Sequence, residues 1–318
     1  MGVIEDEIPL PPPVPGTQSD ESIGKKNARN EKIRLFFKSP SALIGMFIIL
    51  VWLICAIFGA HITPHDPLNT DGLSHEPPFT DGYYLGTDQL GRDVLARIMV
   101  GARDVLIAAP LAAIIGVALG SLLGLLMGFY RGVLDDILGR IIEAFLVLPL
   151  TLVGLLALSA APDDWSIIPG VESSTQTVIL VVGLLFTPIV ARTVRAAVLS
   201  ERENDYVQAA KLRGESGLYI MTREILPNVT SPIVVEFTVR IGYAIFAIAT
   251  LSFLGVGIQE PTPDWGLMIA QEYRLVIGGY WWVTVFPAAA KSAAAVESAP
   301  RGKGMGSGYV SWLRQSSL

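Results

Sequence analysis

The sequence predicts an all-α fold, a polytopic transmembrane helical bundle with five clear spans and a marginal sixth. Three observations predict it. Hydrophobic residues make up 51% of the 318 and charged residues only 16%, with a mean hydropathy of +0.51, too apolar for one soluble domain with a solvated surface. Apolar runs of about 20 residues recur, the length a helix rising about 1.5 Å per residue needs to cross a roughly 30 Å hydrocarbon layer. Lys and Arg gather on one side of those runs, as basic residues near span ends do when retained in the cytoplasm.

Residues 1–40 are Pro-rich, then acidic, then basic ("EDEIPLPPPVPG", "GKKNARNEK"), without apolar periodicity. They are expected to form a disordered cytoplasmic tail. The first span is 42–60, within a first-span and extracytoplasmic segment of 41–104. It is too long for a signal peptide and no small-x-small cleavage site follows it. Cys55, the single cysteine, follows Leu53 and Ile54 rather than a lipoprotein signal and reads as a buried apolar thiol.

The transmembrane body is expected over 105–287, with spans at 105–129 (dense in Ala, Gly and Leu), 141–161, 177–199 and 241–258. If the tail lies inside, eighteen Lys and Arg, leaving Arg240 uncounted, fall on the side of the N-terminus and four (Arg92, Arg97, Arg103, Arg274) on the other. The N-terminus, the 131–140 loop and the 200–230 loop are therefore expected in the cytoplasm. Net charge of −6 adds little, since acidic residues barely influence topology.

The 200–230 loop is unusually long and carries its own pattern. In "NDYVQAAKLRG" Asn204 or Asp205 is placed to cap a helix, and Gly214 falls at the position after its end where a left-handed residue is favourable. Ser216 is placed to cap a second short helix, "GLYIMTRE", that Leu226 and Pro227 are expected to end. Leu218, Tyr219 and Met221 on it have no core of this chain to enter, which suggests a docking surface for a soluble partner.

These residues carry a resemblance. Gln208-Ala209-Ala210, then Gly214, then Leu226-Pro227 twelve residues after the glycine, resemble the E-A-A-x-x-x-G coupling loop of ATP-binding-cassette (ABC) importer permeases, with Gln208 in place of Glu. "LGTDQLGRDVLARIMVGAR" (85–103) and "LSFLGVGIQEPTPDWGLMI" (251–269) are similar to the C-type permease subunit of dipeptide, oligopeptide and nickel importers. The resemblance covers about residues 35–287. It implies the type I ABC importer permease fold and ATPase coupling through Gln208, Ala209, Ala210, Gly214, Ser216, Leu218, Tyr219 and Pro227. It further implies a homologous B-type permease, two ABC ATPase subunits that bind ATP and Mg, and an extracytoplasmic peptide-binding protein. The chain itself has no G-x-x-x-x-G-K-[ST] phosphate loop, so the expectation is a transport subunit with no cofactor of its own, in contact with membrane lipid, rather than an enzyme. Nickel chelates and glutathione are alternative cargoes within the same family.

Other chemistry is weaker. Glu236 and Arg240 stand i,i+4 and are candidates for a translocation path or for pairing with each other. Because 241–258 alone nearly fills a bilayer, Arg240 is expected to snorkel at the cytoplasmic interface, and Glu143 to lie near that interface as well. His61, His65 and His75 with Asp66 tempt one toward a metal, but Pro64 and Pro67 break any common face, so no metal site is expected. A secondary transporter would want ionisable relays at mid-bilayer, and a membrane-tethered nucleic-acid-binding helix-turn-helix would want more than the one Arg of "GLYIMTRE". Past Pro287 the family pattern gives way, over 288–318, to a tail rich in Ala, Gly, Ser, Pro and Arg, the composition expected of an out-of-frame reading of GC-rich DNA. Its apolar part, 280–290, is about 16 Å long as a helix, and extending it puts Lys291 near the middle. A sixth span is therefore marginal.

Overall fold

The computed structural model describes residues 40–162, 169 and 171–298, without the side chains of 41, 42 and 296–298. The tails expected at 1–39 and 299–318 lie outside the described residues. The chain divides into two compact units, 1–47 and 48–318, and the fold described below is that of the second, together with the helix that crosses the boundary.

Among the described residues, besides a short 3-10 turn at Tyr273–Gly278, nine helices follow one another: α1 Pro40–Ile62, α2 Val94–Tyr130, α3 Val133–Val147, α4 Leu150–Ser159, α5 Ser173–Glu201, α6 Asp205–Leu212, α7 Gly217–Phe253, α8 Trp265–Glu272 and α9 Trp282–Ser298. α1, α2, α5 and α7 are long and apolar enough to cross a membrane, and α3 with α4 makes a fifth crossing if the bent pair counts as one. α1 turns Ile49, Leu50, Leu53, Ile57 and Phe58 outward, as a lipid-facing helix does, and touches the core through Trp52 and Cys55.

The third expected span, 141–161, is not one helix. α3 and α4 meet at 93°, because Leu148 precedes Pro149 and is held extended (φ −79°, ψ 138°), the conformation a following proline imposes. The fifth expected span differs as well. α7 runs 37 residues, so the second helix of the 200–230 loop does not end at Leu226-Pro227 but continues into the span. The turn Ile220–Ile225 is π-helical, and the Leu226 N–H reaches back to Met221. That wider turn lets the helix pass Pro227, which has no N–H and whose ring would meet the carbonyl four residues back.

The most extensive packing is α2 against α5. On α2 the glycines fall every fourth residue, at Gly116, Gly120, Gly124 and Gly128, and a Cβ on any of them would lie 2.6–2.8 Å from its nearest α5 atom. Small residues at this spacing let two membrane helices touch backbone to backbone. Above the stripe, Ala108, Ala109 and Ala112 join Val182, Phe186, Ile245, Ile248 and Trp265 in the main core. α9 adds Trp282, Val283, Ala290, Ala294 and Ala295 to the same core. Lys291 on α9 sets its ammonium 5.6 Å from the centre of the Phe246 ring, a cation–π contact that offsets part of the cost of burying it.

Candidate functional site: the 204–228 turn and the cap at the opposite end

The 204–228 turn is built from helix ends. Asn204 occupies the N-cap position of α6 with extended backbone (φ −67°, ψ 148°) but no side-chain capping bond. At the other end the Gly214 N–H donates to the Lys211 carbonyl (3.0 Å) and the Glu215 N–H to the Ala210 carbonyl (3.2 Å). These are the paired bonds of a Schellman motif, and Gly214 has the left-handed φ of +77° it requires. Ser216 Oγ then accepts from the Tyr219 N–H at 3.3 Å and caps the start of α7.

A buried cluster pins this turn to the bundle. Val207, Ala210, Ile220 and Ile225 pack with Val190, Val194 and Val198 of α5. Of the two alanines only Ala210 is buried; Ala209 is exposed. Met221 is 5% exposed, which corrects its assignment to the docking surface, since the π-helical turn rotates it inward. Leu212, at 90% exposure, takes its place. Leu212, Leu218 (67%) and Tyr219 (42%) thus stand in the open on either side of Gly214. Pro227 is exposed on α7.

Polar bonds complete the anchoring. Arg202 donates to the carbonyls of Gly128 (3.2 Å) and Phe129 (2.7 Å) at the end of α2, satisfying groups a helix terminus leaves open. The Gln208 amide donates to the Arg202 carbonyl at 2.9 Å. An ionised Glu, acceptor-only, has no proton to give that carbonyl, so Gln suits this position. Tyr206 donates to Glu201 and accepts from Asn228 at 3.0 Å, joining α5, α6 and α7. Its phenol is pushed up to about 12 by burial and by the bond to Glu201. Arg202, Tyr206 and Asn228 stand outside the motif positions read from the sequence, and their closeness to the turn is the signal that could mark them.

At the opposite end of the bundle the two other motif stretches come together. Asp88 holds Arg92 (2.6 Å), and Arg92 reaches Glu260 (3.1 Å). The Gln89 N–H donates to Glu272 (3.0 Å) and the Trp265 indole to the Ile98 carbonyl (3.0 Å). Asp264, fully buried, caps α8 through the Leu267 N–H at 2.8 Å, and burial raises its carboxyl above the usual range. Glu260 is held below its usual range by hydrogen bonds from Gln271 and Arg92. His65 pairs with Asp93 (2.8 Å) and His75 with Glu272 (3.2 Å). Among the described residues no three His, Cys, Asp or Glu side chains come together as a metal site.

Glu236 and Arg240 are closed on each other at 2.9 and 3.0 Å. Arg240 lies inside α7, about 20 Å along the helix from its end at Phe253. Its guanidinium lies 5.6 Å from the ring centre of Phe186, midway along α5, and 5.2 Å from that of Tyr243. The pair is closed within α7, and Arg240 meets α5 through the Phe186 ring.

The chain matches two family models, the binding-protein-dependent transport system inner membrane component over residues 120–296 and the N-terminal transmembrane domain of oligopeptide transport permease C over 31–78. It is 35% identical over 256 residues to the dipeptide transport system permease protein of Haemophilus influenzae, covering 79% of this chain and 83% of that one. It is 34% identical over 275 residues to the di/tripeptide transport system permease protein of Pseudomonas aeruginosa, covering 85% and 87%. To the glutathione transport system permease protein of Shigella flexneri it is 37% identical over 261 residues, covering 81% and 82%. Similarity of this extent runs through the long helices, the 204–228 turn and the opposite cap alike, and by it the chain belongs to the family of binding-protein-dependent transport system inner membrane components.

Proposed function

We propose that this chain is the C-type permease through which an ABC importer takes up di- and oligopeptides, and that an ATPase subunit drives it at the 204–228 turn. The observation that carries the coupling half of this reading is the turn's construction. Three apolar side chains, Leu212, Leu218 and Tyr219, are exposed on a segment whose other face is locked into α5 and α7. Apolar surface held out by a rigid turn suits an anchor for a partner's groove. A push on it moves α5 and α7 together, because the valine cluster, Tyr206 and Arg202 leave the turn no independent freedom.

In this reading two separate ATPase subunits bind ATP and Mg, close, and tilt this permease against a homologous B-type permease. An extracytoplasmic binding protein delivers cargo to the opposite cap. The Lys and Arg asymmetry supports a cytoplasmic N-terminus and turn. Relatives named for dipeptide and di/tripeptide transport support short peptides as cargo. The relative named for glutathione transport supports that tripeptide thiol as the second reading.

The test is a reconstituted importer carrying a single cysteine at Leu218 (Leu218→Cys, Cys55→Ser). The expected results are a cross-link to an ATPase subunit and ATP-dependent uptake of labelled dipeptide. A cross-link to the second permease instead would overturn the docking reading, and uptake of glutathione without dipeptide would overturn the cargo.

A further inference from the structure

An apolar groove of about 390 Å³ runs along α5 in the elbow between α3 and α4, lined by Leu123, Phe145, Leu146, Leu184, Leu185 and Pro188 among others. A second cavity of about 360 Å³ adjoins it towards the α2–α3 turn, and the two share Ile142 and Leu146 as lining. The second is charged, with Asp135, Asp136 and Glu143 facing Arg140, Arg192 and Arg195. Arg195 and Asp135 neutralise each other through two bonds of 2.6 and 2.7 Å. Asp136, Glu143, Arg140 and Arg192 have no ion-pair partner among the described residues. That leaves two cations and two anions, all exposed, without a close ion pair around one cavity, Asp136 and Glu143 also acting through space on Arg195.

The arrangement has a direction. Arg192 and Arg195 stand near the last turns of α5, while the groove continues down the same helix to Val181. From Arg195 to Val181 is about 21 Å, more than half of a roughly 30 Å hydrocarbon core. A charged pocket near the last turns of α5, opening into an apolar groove about as long as one leaflet is thick, has the dimensions of a lipid. The groove's lining offers only the Thr187 hydroxyl as a side-chain polar group, too little to satisfy the backbone of a peptide.

We propose that the two cavities hold one phospholipid with a zwitterionic, amine-bearing headgroup. Arg140 and Arg192 take the phosphate, and Asp136 and Glu143 take the ammonium, while an acyl chain fills the groove along α5. The equal count of free cations and anions disfavours an anionic lipid, whose phosphate would also meet the two carboxylates. A primary ammonium donates hydrogen bonds to carboxylates and a choline has none to donate, which separates two headgroups of equal net charge. The site lies on α3, whose 93° break from α4 opens the groove, so a bound lipid would wedge the elbow.

The test is lipid retention by the assembled importer, delipidated and then offered equimolar phosphatidylethanolamine, phosphatidylcholine and phosphatidylglycerol of identical acyl chains, read by native mass spectrometry. One phosphatidylethanolamine per copy of this chain is expected to survive washing, at least tenfold over either competitor. Asp136→Asn with Glu143→Gln should abolish its advantage over phosphatidylcholine, and Leu184→Trp, by filling the groove, should lower retention of all three. Equal retention of the three lipids would overturn the proposal, leaving a merely annular layer. So would no retained lipid together with a disulfide from Leu184→Cys to a cysteine on the second permease, which would make the groove a protein interface. None of these outcomes depends on which cargo the importer carries.

Discussion

Gly124→Ala tests whether the backbone contact between α2 and α5 holds the bundle together. The added Cβ would sit 2.8 Å from the Ala191 carbonyl oxygen, 2.8 Å from Val194 Cβ and 2.9 Å from the Arg195 nitrogen. Two of the three obstacles are backbone, so no rotamer change clears them. Ordinary contact is about 3.5–4.0 Å, so the helices must part by close to 1 Å at this point. The neighbouring glycines at 120 and 128 have equally close contacts, so tilting the helices does not relieve the clash either. Overpacking of this kind costs about 1–3 kcal/mol, and alanine's better helix propensity returns at most about 1. A net loss of about 1–2 kcal/mol is expected. Gly139→Ala is the control, because its Cβ would meet only the end of Met127 at 3.9 Å. The assay is thermal unfolding of the two variants in the same purified complex. Gly124→Ala should unfold several degrees lower, at about 2–4 °C per kcal/mol, while Gly139→Ala unfolds at or above the parent. Equal midpoints for the two variants would refute the argument that the glycine stripe is an obligatory close approach.

Gly214→Val puts a β-branched residue at φ +77° with no neighbour within 4 Å of its Cβ, so the cost is backbone strain of about 1–2 kcal/mol; dipeptide uptake should collapse while membrane levels, read by immunoblot, persist. Tyr219→Asp places a charge in the proposed apolar contact and should reduce co-purification of the ATPase subunit, so unchanged stoichiometry would count against that contact. Glu236→Ala leaves Arg240 buried without its counter-charge and should destabilise by about 3–5 kcal/mol, whereas Glu236→Ala with Arg240→Met should recover most of the loss in the same thermal assay. Tyr206→Phe removes the link to Glu201 and should loosen the turn, read as faster amide hydrogen exchange over residues 204–228.

The turn was legible because its chemistry is local. Gly214 after a run of helix formers, and Ser216 two residues on, specify a left-handed cap and a new helix start whatever surrounds them, and both stand as the sequence predicts. The apolar runs locate the long helices for the same reason, since length alone decides whether a helix can cross a bilayer. What composition could not assign is which face goes where. A segment dense in Ala, Gly and Leu becomes an interface only through the four-residue spacing of Gly116, Gly120, Gly124 and Gly128, and the partner face on α5 has no matching signature to seek.

The two misplaced span boundaries have a common physical cause. An apolar run is read as ending where charge or proline appears, yet both are tolerated inside a helix when the structure compensates them. Pro149 does break its helix, because Leu148 before it is forced extended and no wider turn intervenes. Pro227 does not, because the π-helical turn just before it absorbs the missing bond. Glu236 and Arg240 look like the polar edge of a span starting at 241, but each cancels the other's charge at 2.9 Å and Phe186 covers the guanidinium. The pair therefore sits inside α7 without ending it, and the second half of the 204–228 turn and the fifth span become one continuous helix. That continuity gives the proposed coupling its lever: motion at Leu218 and Tyr219 enters α7 at its first turn, and the Arg240 tie carries it to the middle of α5.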